Sequence, residues 1–132
     1  MEIDQHLTGG ILIVEDHAPT IMLLKKLIRS TFPDLEIGTV ESAEAALILC
    51  NARLPRLVIL DINLPGISGI EAIELFKAMS QNIRVVMHTG KDEAVYREKS
   101  FANGADKFVS KSNTFSDLIP TIRPLLYPIS AD

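Results

Sequence analysis

The stretch "RLVILDINLPG", residues 56–66, decides the fold. Leu57, Val58, Ile59 and Leu60 form an unbroken apolar run of the kind that is buried on both faces. The run stops on Asp61, and a Pro65-Gly66 turn follows. A core strand that delivers an acid at its tip asks for a reason, and the rest of the chain supplies one.

Four further segments repeat the pattern of strand followed by helix. "GGILIVED" begins on a Gly-Gly break and becomes continuously apolar, as a parallel strand covered by helices does. Residues 18–31 carry Pro19 in a first helical turn, then Ile21, Leu24, Leu27, Ile28 and Thr31 at helical spacing. "EIGTV" is a short, weaker strand. Ser42 is placed to cap a helix through "AEAALILCNAR", which Pro55 stops. After the quoted strand, Ser68 and Glu71 have capping-box spacing ahead of "IELFKAM". "IRVVMHT" reads as a fourth strand. "DEAVYREKSFANG" reads as a helix with a thin apolar stripe of Ala94, Val95, Phe101 and Ala102. "DKFVSK" is a fifth strand, and Thr114 with Asp117 is placed to cap a last helix through "LIPTIRPLL". Five strands alternating with five helices predict an α/β doubly wound parallel sheet with right-handed crossovers.

The bulk properties agree. A chain of 132 residues, 47% apolar and 23% charged, fits one soluble domain with a real core. The net charge of −4 gives no broad electrostatic reason to bind nucleic acid. A single cysteine, Cys50, excludes an internal disulfide framework and a cysteine-rich zinc site, and its place in "ALILC" reads as a small buried thiol. No apolar run approaches a membrane span, and the N-terminus lacks the apolar core of a secretory signal, so the expected location is the cytoplasm. Linkers are short throughout. Residues 1–9 and about the last five read as loose ends.

In a parallel sheet all strands end on one edge, where ligands bind at the reversal of strand order. The first strand ends in Glu15 and Asp16, the third in Asp61, the fourth in Thr89 and the fifth in Lys111. Polar residues end strands simply because strands reach the surface, and that accounts for any one of these positions. It accounts less well for all of them together. Converging carboxylates repel by about 4 kcal/mol per close pair at an effective dielectric near 20. Lys111 offsets one charge. A divalent cation offsets more, and oxygen ligands without His or Cys suit magnesium. The clustering therefore predicts a metal-dependent site.

In "ILIVEDH", "LVILDINLPGISG", "VVMHTG" and "GADKFVSK", in this order, the chain resembles the receiver domain of two-component response regulators, the chemotaxis-type receiver family. The resemblance covers roughly residues 10–127. Its texture is closest to the receiver halves of helix-turn-helix transcription regulators. It implies a flavodoxin-like sheet of strand order 2-1-3-4-5 and one receiver domain over residues 1–132, with no output domain in the chain. It implies that Asp61 accepts a phosphoryl group from a phosphohistidine on a sensor histidine kinase or phosphotransfer protein. Magnesium is then held by Glu15, Asp16, Asp61 and the backbone carbonyl of Asn63. Lys111 pairs with a phosphoryl oxygen, and Thr89 donates its hydroxyl to another. Phe108 stands where the family has a switching aromatic. Asn63 and Lys91, two residues beyond Asp61 and Thr89, tune dephosphorylation. The implied protein is a phosphoacceptor switch that phosphorylates and dephosphorylates itself, and not an enzyme in the ordinary sense. Its output is protein contact through the fourth helix, fifth strand and last helix, where a homodimer also forms in this family. The chain itself is not expected to touch nucleic acid or membrane.

The chemistry stands without the family. A carboxylate is a competent nucleophile toward phosphorus, and phosphoryl transfer is largely positioning and charge stabilisation. Two competing functions fit less well. A receiver-like interaction module that is never phosphorylated would have no use for the intact acids, Thr89 and Lys111. A phosphatase of the haloacid-dehalogenase type wants a second acid two residues after its nucleophile, where this chain has Asn63. The chain also departs from the receiver pattern. Ser112 follows Lys111 where the family usually has proline, often in a cis bond that costs about 3 kcal/mol without proline. His88 precedes Thr89 where an apolar residue is usual, and reads as a satisfied half-buried histidine. His17 reads as a helix-start residue. Pro120 inside the last helix predicts a kink, a shortened helix or a second helical start.

Overall fold

A computed structural model describes residues 9–128. The expected loose ends, Gly9 and Pro128 apart, lie outside the described residues. The element order is β1 (Ile11–Val14), α1 (Ala18–Thr31), β2 (Ile37–Val40), α2 (Ala43–Ala52), β3 (Leu57–Leu60), α3 (Gly69–Met79), β4 (Arg84–Thr89), α4 (Ala94–Ala102), β5 (Lys107–Ser110), a 3-10 turn (Lys111–Asn113) and α5 (Thr114–Leu126). The five strands form one parallel sheet in the order β2-β1-β3-β4-β5, as expected.

Successive side chains on a strand point to opposite faces, so the apolar runs split into two cores. Leu12, Val14, Val58, Leu60, Val85 and Met87 pack with Ala46, Ile73 and Phe76 of α2 and α3. Ile11, Ile13, Leu57, Ile59, Val86 and Val109 pack with Leu24 and Ile28 of α1 and with Leu118 and Ile122 of α5. Each run is apolar throughout because both of its faces are covered. The register pairs Val14 with Leu60 and Leu60 with Met87, and so brings the residues that follow these strands to one edge.

Local signals explain most boundaries. Ser42 Oγ accepts the Ala45 N–H at 3.1 Å, and both bonds of the Ser68–Glu71 capping box are made. Gly66 takes φ 75°, which suits the turn after β3. Gly69 opens α3 against the backbone of β3's exit; a Cβ there would lie 1.9 Å from the Asp61 carbonyl oxygen.

Three local expectations are corrected. α4 turns a different face inward. Ala94, Val95, Phe101 and Ala102 are exposed, whereas Ser100 is buried and Tyr96 half-buried. Ser100 is tolerated there because its hydroxyl donates back to the Tyr96 carbonyl at 2.8 Å. α5 begins at Thr114 itself, with Asn113 at the cap position and no side-chain cap bond; the Thr114 hydroxyl turns back to the Lys111 carbonyl. Finally, α5 is one helix from Thr114 to Leu126 with Pro120 and Pro124 inside it, neither shortened at Pro120 nor restarted there. Both prolines are exposed, so water can reach the carbonyls that lose an N–H partner, and burial of Leu118, Ile122 and Leu126 holds the helix against the sheet.

Candidate functional site

The C-terminal edge of the sheet carries the polar residues. Asp61 leaves β3 nearly buried, its N–H still bonded to the Val14 carbonyl at 3.2 Å. Glu15 leaves β1 in the same way, bonded to Val40 O at 3.0 Å, and is 2% exposed. Both side chains are therefore aimed by backbone that is still part of the sheet. Asp16 is exposed beside them. One carboxylate oxygen from each of Glu15, Asp16 and Asp61 lies within 4.8 Å of the others.

Lys111, just past β5, crosses to this cluster. Its Nζ is 3.0 Å from Glu15 Oε1 and 3.1 Å from Asp61 Oδ2. Burial opposes the Lys111 charge, but the two carboxylates outweigh it and hold its pKa above the ordinary lysine value. Burial raises the Glu15 pKa, and Asp61 adds to that; the Lys111 ammonium and the His17 N–H, which donates to Glu15 Oε2 at 3.1 Å, oppose it. Glu15 Oε1 is buried with only the off-axis Lys111 contact and no aligned hydrogen bond. Asp61 Oδ1 has a long 3.4 Å bond from the Asn63 N–H. These under-coordinated oxygens, all hard donors, suit a divalent cation such as magnesium.

Thr89 ends β4 fully buried, and its Oγ1 accepts the Lys91 N–H at 3.1 Å. The Lys91 ammonium lies 5.3 Å from the centre of the Tyr96 ring. Phe108 is half-buried on the α4 side, under the Arg97 guanidinium at 4.5 Å. His17 takes the cap position of α1, and its Nδ1 is 2.7 Å from Thr20 Oγ1.

The match to known proteins follows the geometry. The family model described as "Response regulator receiver domain" matches residues 11–123. The chain belongs to the response regulator receiver domain family. It is a phosphoryl-accepting receiver, and its acidic cluster fits the magnesium site of such domains. The transcriptional regulatory protein MctR of Rhizobium johnstonii is 33% identical over 113 residues, 85% of this chain and 52% of that protein. The phosphate regulon transcriptional regulatory protein PhoB of Klebsiella pneumoniae is 36% identical over 123 residues, 91% of this chain and 52% of that protein. The chain thus spans about half the length of these relatives. Response regulator TrrA of Thermotoga maritima, solved in complex with Mg(2+)-BeF, superposes with a TM-score of 0.77 at 32% identity, over 89% of this chain and 99% of that one. Among the described residues, no helix is long and apolar enough to cross a membrane.

Several supports of this receiver site and its sheet carry no obvious mark in the sequence. Glu44 of α2 accepts the Ile67 N–H at 2.9 Å and braces the turn beyond Asp61. Ser110 donates to Asp92 at 2.8 Å, tying the loop after β4 to the end of β5. At the opposite edge of the sheet, away from the site, Asp106 accepts from Lys77 and from the Val85 N–H, both at 2.8 Å, and so fixes the start of β5. Each bond joins segments far apart in the chain, and spacing alone gives no signal of that.

Proposed function

We propose that Asp61 is the phosphoacceptor, taking its phosphoryl group from a phosphohistidine on a sensor histidine kinase or phosphotransfer protein. The observation that carries this reading is the Lys111 ammonium shared between Glu15 and Asp61, beside three carboxylates whose oxygens converge within 4.8 Å. An Asp61 oxygen attacks phosphorus, the P–N bond breaks, and its electron pair leaves with the imidazole. Glu15, Asp16, Asp61 and the Asn63 carbonyl would hold a magnesium ion, which would supply charge neutralisation for the transferring group. Lys111 moves from Asp61 to a phosphoryl oxygen, keeping one charge-assisted bond throughout. The rigid strand beneath Asp61 supplies the positioning on which such a transfer depends.

The product is a mixed anhydride that water attacks, so the switch resets itself. Asn63 and Lys91 flank the path of that water and set its rate. Thr89 gives up its bond with the Lys91 N–H and donates to the new anion, which draws the loop after β4 inward. Phe108 shifts with it. α4 has few buried anchors, so this rearrangement is inexpensive. The output surface is α4, β5 and the start of α5, where Val95, Phe101, Lys107 and Phe115 are exposed. It contacts a downstream protein or a second copy of the chain. Residues 11–123 act as a receiver domain in the cytoplasm, and the net charge of −4 gives the chain no broad electrostatic attraction for nucleic acid.

The test is intact mass after incubation with a small-molecule phosphodonor, with and without magnesium. One added phosphoryl group, dependent on magnesium, supports the reading. A wild type left unmodified in magnesium overturns it.

A further inference from the structure

His88 is a buried group that the phosphoryl chemistry does not use. It is 2% exposed and points to the opposite face of the sheet from Thr89, toward α5. Its Nε2 lies 2.8 Å from Thr114 Oγ1. The Thr114 hydroxyl donates to the Lys111 carbonyl at 3.0 Å. A threonine has one hydroxyl hydrogen and a carbonyl only accepts, so Nε2 must be the donor to Thr114. Nε2 therefore carries a proton, and the chain of bonds runs from His88 through Thr114 to the Lys111 backbone; Nδ1, buried with no acceptor, is bare, since a proton there would be an unpaired buried charge. Burial, and then the Lys111 charge, lower the His88 pKa to about 4, with Asp61 opposing, which agrees with a neutral ring.

The arrangement is costly. His88 Nδ1 is buried with no hydrogen-bond partner. An apolar side chain would avoid that cost, since Val86 and Val109 already make this part of the core apolar. The N–H toward Thr114 is what an apolar residue could not supply. Lys111 needs such help. Its long side chain must place one ammonium against two carboxylates, and the backbone that carries it has just left β5. Ser112 follows it, and no peptide bond among the described residues is cis. The turn is instead shaped by side chains. Ser110 Oγ accepts the Ser112 N–H at 3.3 Å on one side, and Thr114 holds the Lys111 carbonyl on the other.

We propose that His88 and Thr114 form a positioning pair for Lys111, in which the His88 N–H orients the Thr114 hydroxyl and that hydroxyl clamps the Lys111 carbonyl. The inference rests on the reading of Lys111 as the cation that meets the phosphoryl group. Thr114 thereby ties the first residue of α5 to the reacting edge, and it couples a shift of Lys111 to the helix start beside exposed Phe115.

The experiment follows phosphorylation of the full chain by phosphoramidate in saturating magnesium. Thr114→Val and His88→Leu break the relay at nearly constant volume; Thr114→Ser and His88→Gln keep a hydroxyl and an N–H in place. Thr114→Val and His88→Leu should react about tenfold more slowly, with magnesium affinity unchanged, and the two conservative variants should recover most of the rate. Thr114→Val should add no further slowing in a Lys111→Met background, because its effect passes through Lys111. If His88→Leu does not fold, as judged by urea denaturation, the two Thr114 variants and the double variant decide. A Thr114→Val protein that reacts at the wild-type rate overturns the proposal. So does a Thr114→Ser protein as slow as Thr114→Val, or equal slowing with and without Lys111. A wild type that takes no phosphoryl group overturns the reading of the whole site, which these comparisons separate from failure of the relay alone.

Discussion

Replacing His88 by glutamine removes a buried titrating group while leaving an N–H toward Thr114. In the folded protein the imidazole pKa lies at about 4, against 6.5 for an ordinary histidine. Between those values the unfolded chain binds a proton that the native state excludes, so stability rises with pH and is lost as pH falls. From pH 7.5 to pH 5 this single group removes about 2 kcal/mol of wild-type stability. Glu15 acts with the opposite sign, because its raised pKa lets the native state bind the extra proton and makes stability fall as pH rises through its window. Both proteins carry Glu15, so its effect cancels in their difference. Urea denaturation of wild type and His88→Gln at the two pH values, in chelator, measures that difference. The wild type should lose about 2 kcal/mol more than the variant on acidification. Parallel losses would show that His88 is not held neutral in the folded protein.

Removing the shared cation by Lys111→Met leaves Glu15 and Asp61, both nearly buried, facing each other unpaired. The metal-free variant should lose about 3 kcal/mol in urea denaturation, and magnesium should restore more to it than to the wild type. Asp16→Asn should cost the metal-free protein little, because Asp16 is exposed, while a tenfold weaker magnesium affinity trims the stabilisation at saturating ion by about 1.4 kcal/mol; thermal melts across a magnesium titration read both. Lys91→Ala forfeits a partly exposed contact with the half-buried Tyr96 ring, so stability should change by no more than about 1 kcal/mol, whereas time courses of phosphoryl loss should differ several-fold from wild type.

The sheet was legible because its signal is redundant. Each of the runs at residues 11–14, 57–60 and 85–87 is apolar on both faces, and once strands are parallel their ends must share an edge. That reasoning alone brings Glu15, Asp16, Asp61, Thr89 and Lys111 together. The face of α4 was not legible. Its apolar residues are few, and a helix with Ser100 buried and Phe101 exposed inverts the usual rule. Ser100 is admitted only through its bond to the turn before it, which composition does not reveal. The start of α5 was misplaced by one residue for a related reason. Thr114 looks like a cap, but its hydroxyl is claimed by the Lys111 carbonyl and His88. His88 itself was expected to be satisfied and half-buried, whereas it is fully buried with one nitrogen unpartnered. Its partner lies 26 residues away on another element, beyond any local pattern.

The central claim is that the phosphoryl group rests on the Asp61 carboxylate, and borohydride reduction tests it most directly. An acyl phosphate is reduced at its carbonyl carbon, which converts the side chain that carried it to an alcohol. After treatment with phosphodonor and magnesium, reduction and peptide mass mapping should find homoserine at position 61 and intact aspartate at position 16. Modification at Asp16 or another carboxylate, with Asp61 untouched, would contradict the account.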